Sequence, residues 1–391
     1  MRSLARGKTT EGAIVNPWGQ INAARLINTF IELIQIDSPP FGEQEIAMRL
    51  SRHLLSLGLS VETQNYGSSF NLIGRMRGAM RGVEPIILSS HMDTVESTKG
   101  LRYIRQDGII KTDGRTILGA DDKSGIAEIL EALHVLKEQG LPHGDIEVVF
   151  TSAEERGLVG AKNLNFHDLK GRTALVFDSS GSIGRVVLAA PTHDNYVMRV
   201  IGRAAHAGIE PQRGTSAIKA AAKIIAAVPD GRIDSYTTAN IGTIHGGTAT
   251  NIVPKEVVME GEVRSHDADT LERTIKDIFD TALAIAKKNQ VKLQIDRHRQ
   301  YHGFHISEDD EFVRLIADVC REQRITPELI VYGGGSDANI FNSNGIKSFA
   351  ISSGMQMPHT TDEFILEEDL CSAARLLLGI IRAVASGTIE N

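Results

Sequence analysis

Two cysteines in 391 residues, Cys320 and Cys371, form no C-x-x-C pair and are too few for a disulfide framework. That excludes a disulfide-stapled scaffold and makes a reducing, cytoplasmic setting the simplest reading. No apolar run reaches the roughly 18–20 residues that span a bilayer, which excludes a membrane-spanning helix. There is no excess of basic residues. Against 49 Asp and Glu stand 42 Lys and Arg, for a net charge of −7. Neither nucleic acid nor an anionic membrane has an electrostatic footprint to bind. Internal repeats and low-complexity tracts are also missing. The first ten residues carry Arg2, Arg6 and Lys8 but no apolar stretch behind them, so they do not read as a secretory signal. A mobile leader is expected there, ahead of the first helix.

What is present is the composition of a folded globular chain, 41% hydrophobic and 23% charged. The length predicts two or three domains. Residues 43–58 place Ile46, Leu50 and Leu54 on one helical stripe that stops at Gly58. Residues 85–89 are a short apolar run leading into His91, Met92 and Asp93. A helix follows over 123–139, then strands over 145–150 and 174–177. Alternation of this kind predicts an α/β fold, a three-layer domain around a mostly parallel sheet.

The pattern changes after about Pro191. Strand, helix, strand, strand, helix, strand are expected over 197–203, 216–228, 239–244, 257–264, 268–288 and 291–297. That is the ferredoxin-like β-α-β-β-α-β order. An inserted α+β domain over 194–305 is therefore expected, splitting the first domain into 1–193 and 306–391. In the second part, helices are expected over 309–321 and 367–385, with strands over 328–332 and 347–352.

Acidic and histidine side chains gather at or after strand ends: His91, Asp93, Asp121, Glu154, Glu155, Asp178 and His359. In open α/β sheets the carboxyl edge of the strands is where sites form. Imidazoles and carboxylates together, without cysteine, suit zinc, with manganese or cobalt as alternatives. Asp93, two residues after His91, can accept the second imidazole N–H or simply cap a turn. Asp121 and Asp122, flanked by Gly119 and Gly125, can cap the following helix or serve a site where one carboxylate bridges two cations. On an extended segment Glu154 and Glu155 would face different sides, one able to ligate a metal while the other faces substrate; an exposed acidic turn is the alternative reading. His359 sits in a polar loop and gains meaning only from the other groups.

Several stretches carry a resemblance: SSHMDTV (89–95), GADDKSG (119–125), TSAEERGLVGAK (151–162), VFDSSG (176–181), GRAAHAG (202–208), NIVP (251–254) with EVRS (262–265), GGGSDAN (333–339) and PHTTDE (358–363). In this order they resemble the M20 family of dinuclear zinc metallopeptidases, and within it the peptidase T-like, tripeptidase-like branch. The resemblance implies two Zn2+ ions, with Co2+ or Mn2+ as substitutes, bridged by Asp121. His91 and Asp178 would complete one site, Glu155 and His359 the other. Glu154 would be general base and acid toward a metal-bridging hydroxide, and Asp93 would orient His91. Asp122 would follow Asp121 across a cis peptide. The resemblance further implies that His206 supplies an oxyanion donor from the partner subunit of a homodimer. Asn251 and Arg264 would contact the substrate carboxylate or carbonyl. Gly334, Gly335 and Ser336 would offer backbone donors to the same group, or form only a tight turn. The expected activity is exopeptidase cleavage of short peptides, removing the N-terminal residue of tripeptides. An amidohydrolase or carboxypeptidase acting on N-acyl amino acids or C-terminal Glu is the alternative. A metal-binding dimer without turnover is a third, against which Glu154 speaks, since a binding module needs no base beside the water.

Overall fold

The computed structural model describes residues 20–387. The leader expected over the first ten residues lies outside them. Among the described residues no helix is long and apolar enough to cross a membrane.

A nine-stranded sheet forms the larger body. At its centre lie four parallel strands in the order Ile146–Thr151, Ile86–His91, Thr173–Ser179 and Lys347–Ser352. The hairpin Ser60–Tyr66 and Ser69–Met76 adds antiparallel on one side. Arg185–Ala190 adds antiparallel on the other. The sheet is thus mixed, with parallel pairing concentrated at the centre. That centre is where the sequence shows unbroken apolar runs, because these strands are buried on both faces.

Alternate residues of the central strands feed two cores. Leu88, Val148, Phe150, Leu175 and Phe177 face one side, with the helices Ala23–Ile34, Ala120–Gln139, Glu311–Glu322 and Glu367–Ala385. Ile87, Val149, Ala174 and Val176 face the other, with the helix Asp337–Ser343. This period of two produces the three layers. The helix Glu367–Ala385 and the strand Lys347–Ser352 keep the bounds their patterns predict.

The inserted segment forms a five-stranded antiparallel sheet of its own. Its order is Gly231–Arg232, Thr237–Gly246, Glu256–Ser265, Thr192–Ile201, Lys292–Tyr301. The helices Ala217–Ile225 and Ala268–Lys288 pack on it around Tyr196, Met198, Leu271, Ile275 and Ile278. Asp267 caps the longer helix, accepting the Thr270 N–H at 2.7 Å. The strand expected from 197 begins earlier, at Thr192. Its first residues, including Asp194 and Asn195, pair with neighbours on both sides despite their polarity.

Helix Ala120–Gln139 lies against the strand Thr173–Ser179 at Gly125. A Cβ there would come within 2.5 Å of Phe177 Cβ and 2.7 Å of its carbonyl oxygen. Gly125→Ala is expected to destabilise the fold by about 1–3 kcal/mol, as overpacking does. A urea midpoint equal to that of the parent would show that the contact relaxes freely.

Candidate active site

All seven side chains singled out near strand ends meet at the carboxyl edge of the four parallel strands. His91 ends its strand and is buried. Its Nε2 lies 3.0 Å from Asp121 Oδ1. The acceptor nearest its Nδ1 is the main-chain oxygen of Asp93, at 2.9 Å; the Asp93 carboxylate stands off at 3.5 Å. That carboxylate has other partners. Oδ1 accepts the Glu154 N–H at 3.0 Å and Oδ2 the Glu155 N–H at 3.2 Å. Asp93 therefore touches His91 mainly through its backbone, while its side chain shapes the acidic turn.

That turn is not extended, as the sequence suggested. Glu154–Arg156 form one turn of 3-10 helix, entered through Ala153 in the left-handed region at φ 49°. An alanine is rarely held there. Glu43 Oε1 fixes it by accepting the Ala153 N–H at 2.8 Å. The turn leaves both the Glu154 and Glu155 side chains largely buried.

Asp121 sits where the helix Ala120–Gln139 is not yet regular, at φ −78° and ψ 105°, and a cis peptide joins it to Asp122. Its second oxygen, Oδ2, lies 3.1 Å from His359 Nε2. The same Nε2 lies 3.0 Å from Glu155 Oε1. Donor atoms of His91, Asp121 and Asp178 all fall within 4.8 Å of one another, and so do those of Asp121, Glu155 and His359. Asp121 belongs to both groups. His91, Glu154 and Glu155 form a third.

The electrostatics follow from this crowding. Burial pushes Glu154 well above the usual carboxylate range, and the Asp178 carboxylate adds to it. Asp178 rises likewise through burial and then Asp121. Hydrogen bonding to Asp121 and Glu155 raises His359 to about 10. Burial opposes a charge on His91, yet Asp121 and Asp93 raise it. Burial likewise works against an ionised Asp121, but His359 and His91 hold it below the usual range. One imidazole nitrogen bracketed by two carboxylate oxygens cannot donate a single proton to both. Four carboxylates converge on two imidazoles. Such a donor set fits two divalent cations that share Asp121, with oxygen and nitrogen ligands and no thiolate.

These groups stand in a cleft of about 620 Å³ that the inserted domain also lines. His193, Asn195, Arg264, Gln300 and Tyr301 enter from its strands, and Tyr332, Gly334 and Gly335 from the sheet side. Arg264 is paired with Glu262 in a fork, Nε to Oε1 and Nη2 to Oε2, both at 3.0 Å. His193, then Arg264, draw Glu262 down to about 2. Ser336 is buried and caps the helix Asp337–Ser343, so its side chain serves the backbone there. His206 and Asn251 lie beside each other on the inserted domain, where the Ala207 N–H donates to the Asn251 carbonyl at 2.8 Å. Both are exposed and neither lines the cleft.

Comparison with known proteins agrees with this geometry. Residues 87–383 match the sequence profile of Peptidase family M20/M25/M40. The chain is 38% identical to an uncharacterized protein, YqjE, of Bacillus subtilis strain 168, over 93% of this chain and 100% of that one. It superposes on the crystal structure of aminopeptidase PepT from Bacillus cereus ATCC 10987 with TM-score 0.85 and 40% identity, covering 93% and 99% of the two chains. A tripeptidase from Staphylococcus aureus Mu50 gives TM-score 0.89 and 40% identity, covering 94% and 100%.

Sequence reasoning passed over His193, Asn195 and Tyr301, which alternate in and out of polar strands and carry no local signal. It also passed over Glu363, the last residue of the 358–363 stretch, whose buried carboxylate accepts N–H groups from the Asp121 turn. For the ligand set itself, His91→Ala is expected to lower bound metal from two ions toward one or none while the far-UV spectrum holds. Unchanged stoichiometry by elemental analysis would remove His91 from the set.

Proposed function

The chain belongs to Peptidase family M20/M25/M40, in its peptidase T-like branch, and we propose that this metal-dependent exopeptidase removes the N-terminal residue of short peptides, tripeptides among them. One observation carries the reading: two donor groups sharing Asp121 lie at the head of a cleft whose other wall presents a guanidinium, Arg264. The relatives named an aminopeptidase and a tripeptidase support the substrate class.

In this reading His91 and Asp178 would hold one zinc ion with Asp121, and Glu155 and His359 would hold the other, cobalt or manganese being able to substitute. When bound, the ions would supply Lewis acidity toward the scissile carbonyl and toward the attacking water. Glu154 lies beside both groups and takes the water proton, then returns it to the departing amine. Asp93 keeps Glu154 and Glu155 in place through their N–H groups. Arg264 receives the substrate carboxylate or carbonyl, and the backbone around Gly334, Gly335 and Ser336 supplies further donors. His206 and Asn251 complete the site of a partner subunit in a homodimer, His206 as oxyanion donor. Their exposure on residues 194–305, away from their own cleft, supports this. The parts 1–193 and 306–391 then form one catalytic domain. A short peptide rather than nucleic acid is the partner, and the free thiols of Cys320 and Cys371 accord with a cytoplasmic setting.

Glu154→Gln is expected to keep both ions and to lower kcat by about 10²–10⁴, the usual contribution of a general base. Retained turnover would remove that role. A substrate panel tests the specificity. Free tripeptides should release their first residue, while N-acetylated tripeptides, N-acyl amino acids and peptides ending in Glu should remain uncut at that site. Hydrolysis confined to N-acyl amino acids or C-terminal Glu would replace this reading with the amidohydrolase one.

A further inference from the structure

His359 has an exposed position for a residue so close to Asp121 and Glu155. Its side chain is 52% exposed, against 9% for Asp121 and 8% for Glu155. Burial of its own ring therefore cannot hold it. The backbone at His359 is in the left-handed region, φ 63°, as is that of Met357, φ 53°. Non-glycine residues in that region need support from their surroundings.

The loop that carries it closes on itself. The Gln356 N–H donates to the Phe364 carbonyl at 2.9 Å and the Phe364 N–H returns to Gln356 at 3.1 Å. Thr360 Oγ1 donates to the Met357 carbonyl at 2.8 Å. Those bonds give the loop a shape but not a position. At its base, four residues after His359, stands Glu363, only 1% exposed. Its Oε2 accepts the N–H groups of Leu118 at 2.8 Å and Gly119 at 2.7 Å. Its Oε1 accepts the N–H of Asp121 at 3.0 Å. Gly119 is left-handed at φ 73°, which aims successive N–H groups into the carboxylate.

We infer that Glu363 is a positioning residue for the metal centre: its carboxylate sets the His359 loop against the Asp121 turn, so that one short segment places both a terminal ligand and the bridging ligand of the same ion. The inference rests on the proposed reading of Asp121, Glu155 and His359 as ligands of one ion. A glutamine at 363 would keep the size but turn an amide NH2 toward N–H donors, so at least one of these bonds is lost. An aspartate keeps the charge and withdraws it by one methylene.

The test is Zn2+ titration of the metal-free parent and variants by calorimetry, with Co2+ absorption spectra as a second readout. The parent is expected to bind two ions. If it binds fewer, the dinuclear reading fails and this inference with it. Glu363→Gln is expected to bind one ion at least about tenfold more weakly, one charged hydrogen bond's worth, and the other, which shares only Asp121, with a smaller loss. Glu363→Asp should fall between. In a double-variant cycle, Glu363→Gln should cost less in the His359→Ala background than in the parent, because part of its effect acts through His359. Parental constants for both ions in Glu363→Gln and Glu363→Asp would overturn the inference. So would equal weakening of both ions alongside a lowered melting temperature of the metal-free protein, which marks a merely structural residue. Should Glu363→Gln fail to fold, Glu363→Asp decides by the same criteria.

Discussion

The Asp93 carboxylate, fully buried, takes the Glu154 N–H on one oxygen and the Glu155 N–H on the other. The segments that carry His91 and Asp121 are held by the same device. Glu363 gathers three N–H groups of the Asp121 turn. Asp122 Oδ2 accepts the His91 N–H at 3.2 Å and the Ser90 hydroxyl. Glu43 holds Ala153. A buried carboxylate is costly unless it is paired, and backbone N–H groups pair it without neutralising it. Each bond to a charged group contributes about 1.5–3 kcal/mol. An inner group of acids suited to cations is thus framed by outer acids facing amides.

This framing explains why the site lies at the carboxyl edge of the four parallel strands. Each strand there ends in a turn free of the ladder, with N–H groups to offer. His91, the turn Glu154–Arg156, Asp178 and the loop after Ser352 all emerge at that edge. The inserted domain closes the other side. Its first strand leaves from Pro191 and its last returns at Tyr301, so both crossings lie beside the cleft. The Tyr301 ring lies so close to Gly335 that a Cβ there would come within 2.2 Å of it. The ring belongs to the returning strand and the glycine to the other wall of the cleft, so Gly335 is a packing requirement.

Much of this was readable in advance, but unevenly. Apolar runs of four to six residues identified the central strands, and the helical stripe of 268–288 placed that helix with its bounds. Polar strands were harder. Ser60–Tyr66 alternates exposed and half-buried residues at the sheet edge, and Tyr103–Gln106 is exposed throughout, so neither carries an apolar rhythm. The acidic pair Glu154 and Glu155 was recognisable as chemistry, but its conformation was not, because Ala153 gives no hint of a left-handed turn. His206 and Asn251 sat in motifs as clear as any ligand's, yet the fold carries them away from their own cleft.

By itself the sequence determined the periodicities, hence the three layers and the inserted α+β unit, and it determined which side chains have the chemistry to hold cations. These are properties of residues and near neighbours. The tertiary structure alone decided which oxygen meets which nitrogen. Glu363 and Leu118 lie 245 positions apart along the chain and 2.8 Å apart in space. Asp93 turned out to serve the backbone of Glu154 rather than the ring of His91 alone. Such pairings depend on where loops of irregular dihedral angles end, and a buried carboxylate accepts whichever N–H groups arrive there.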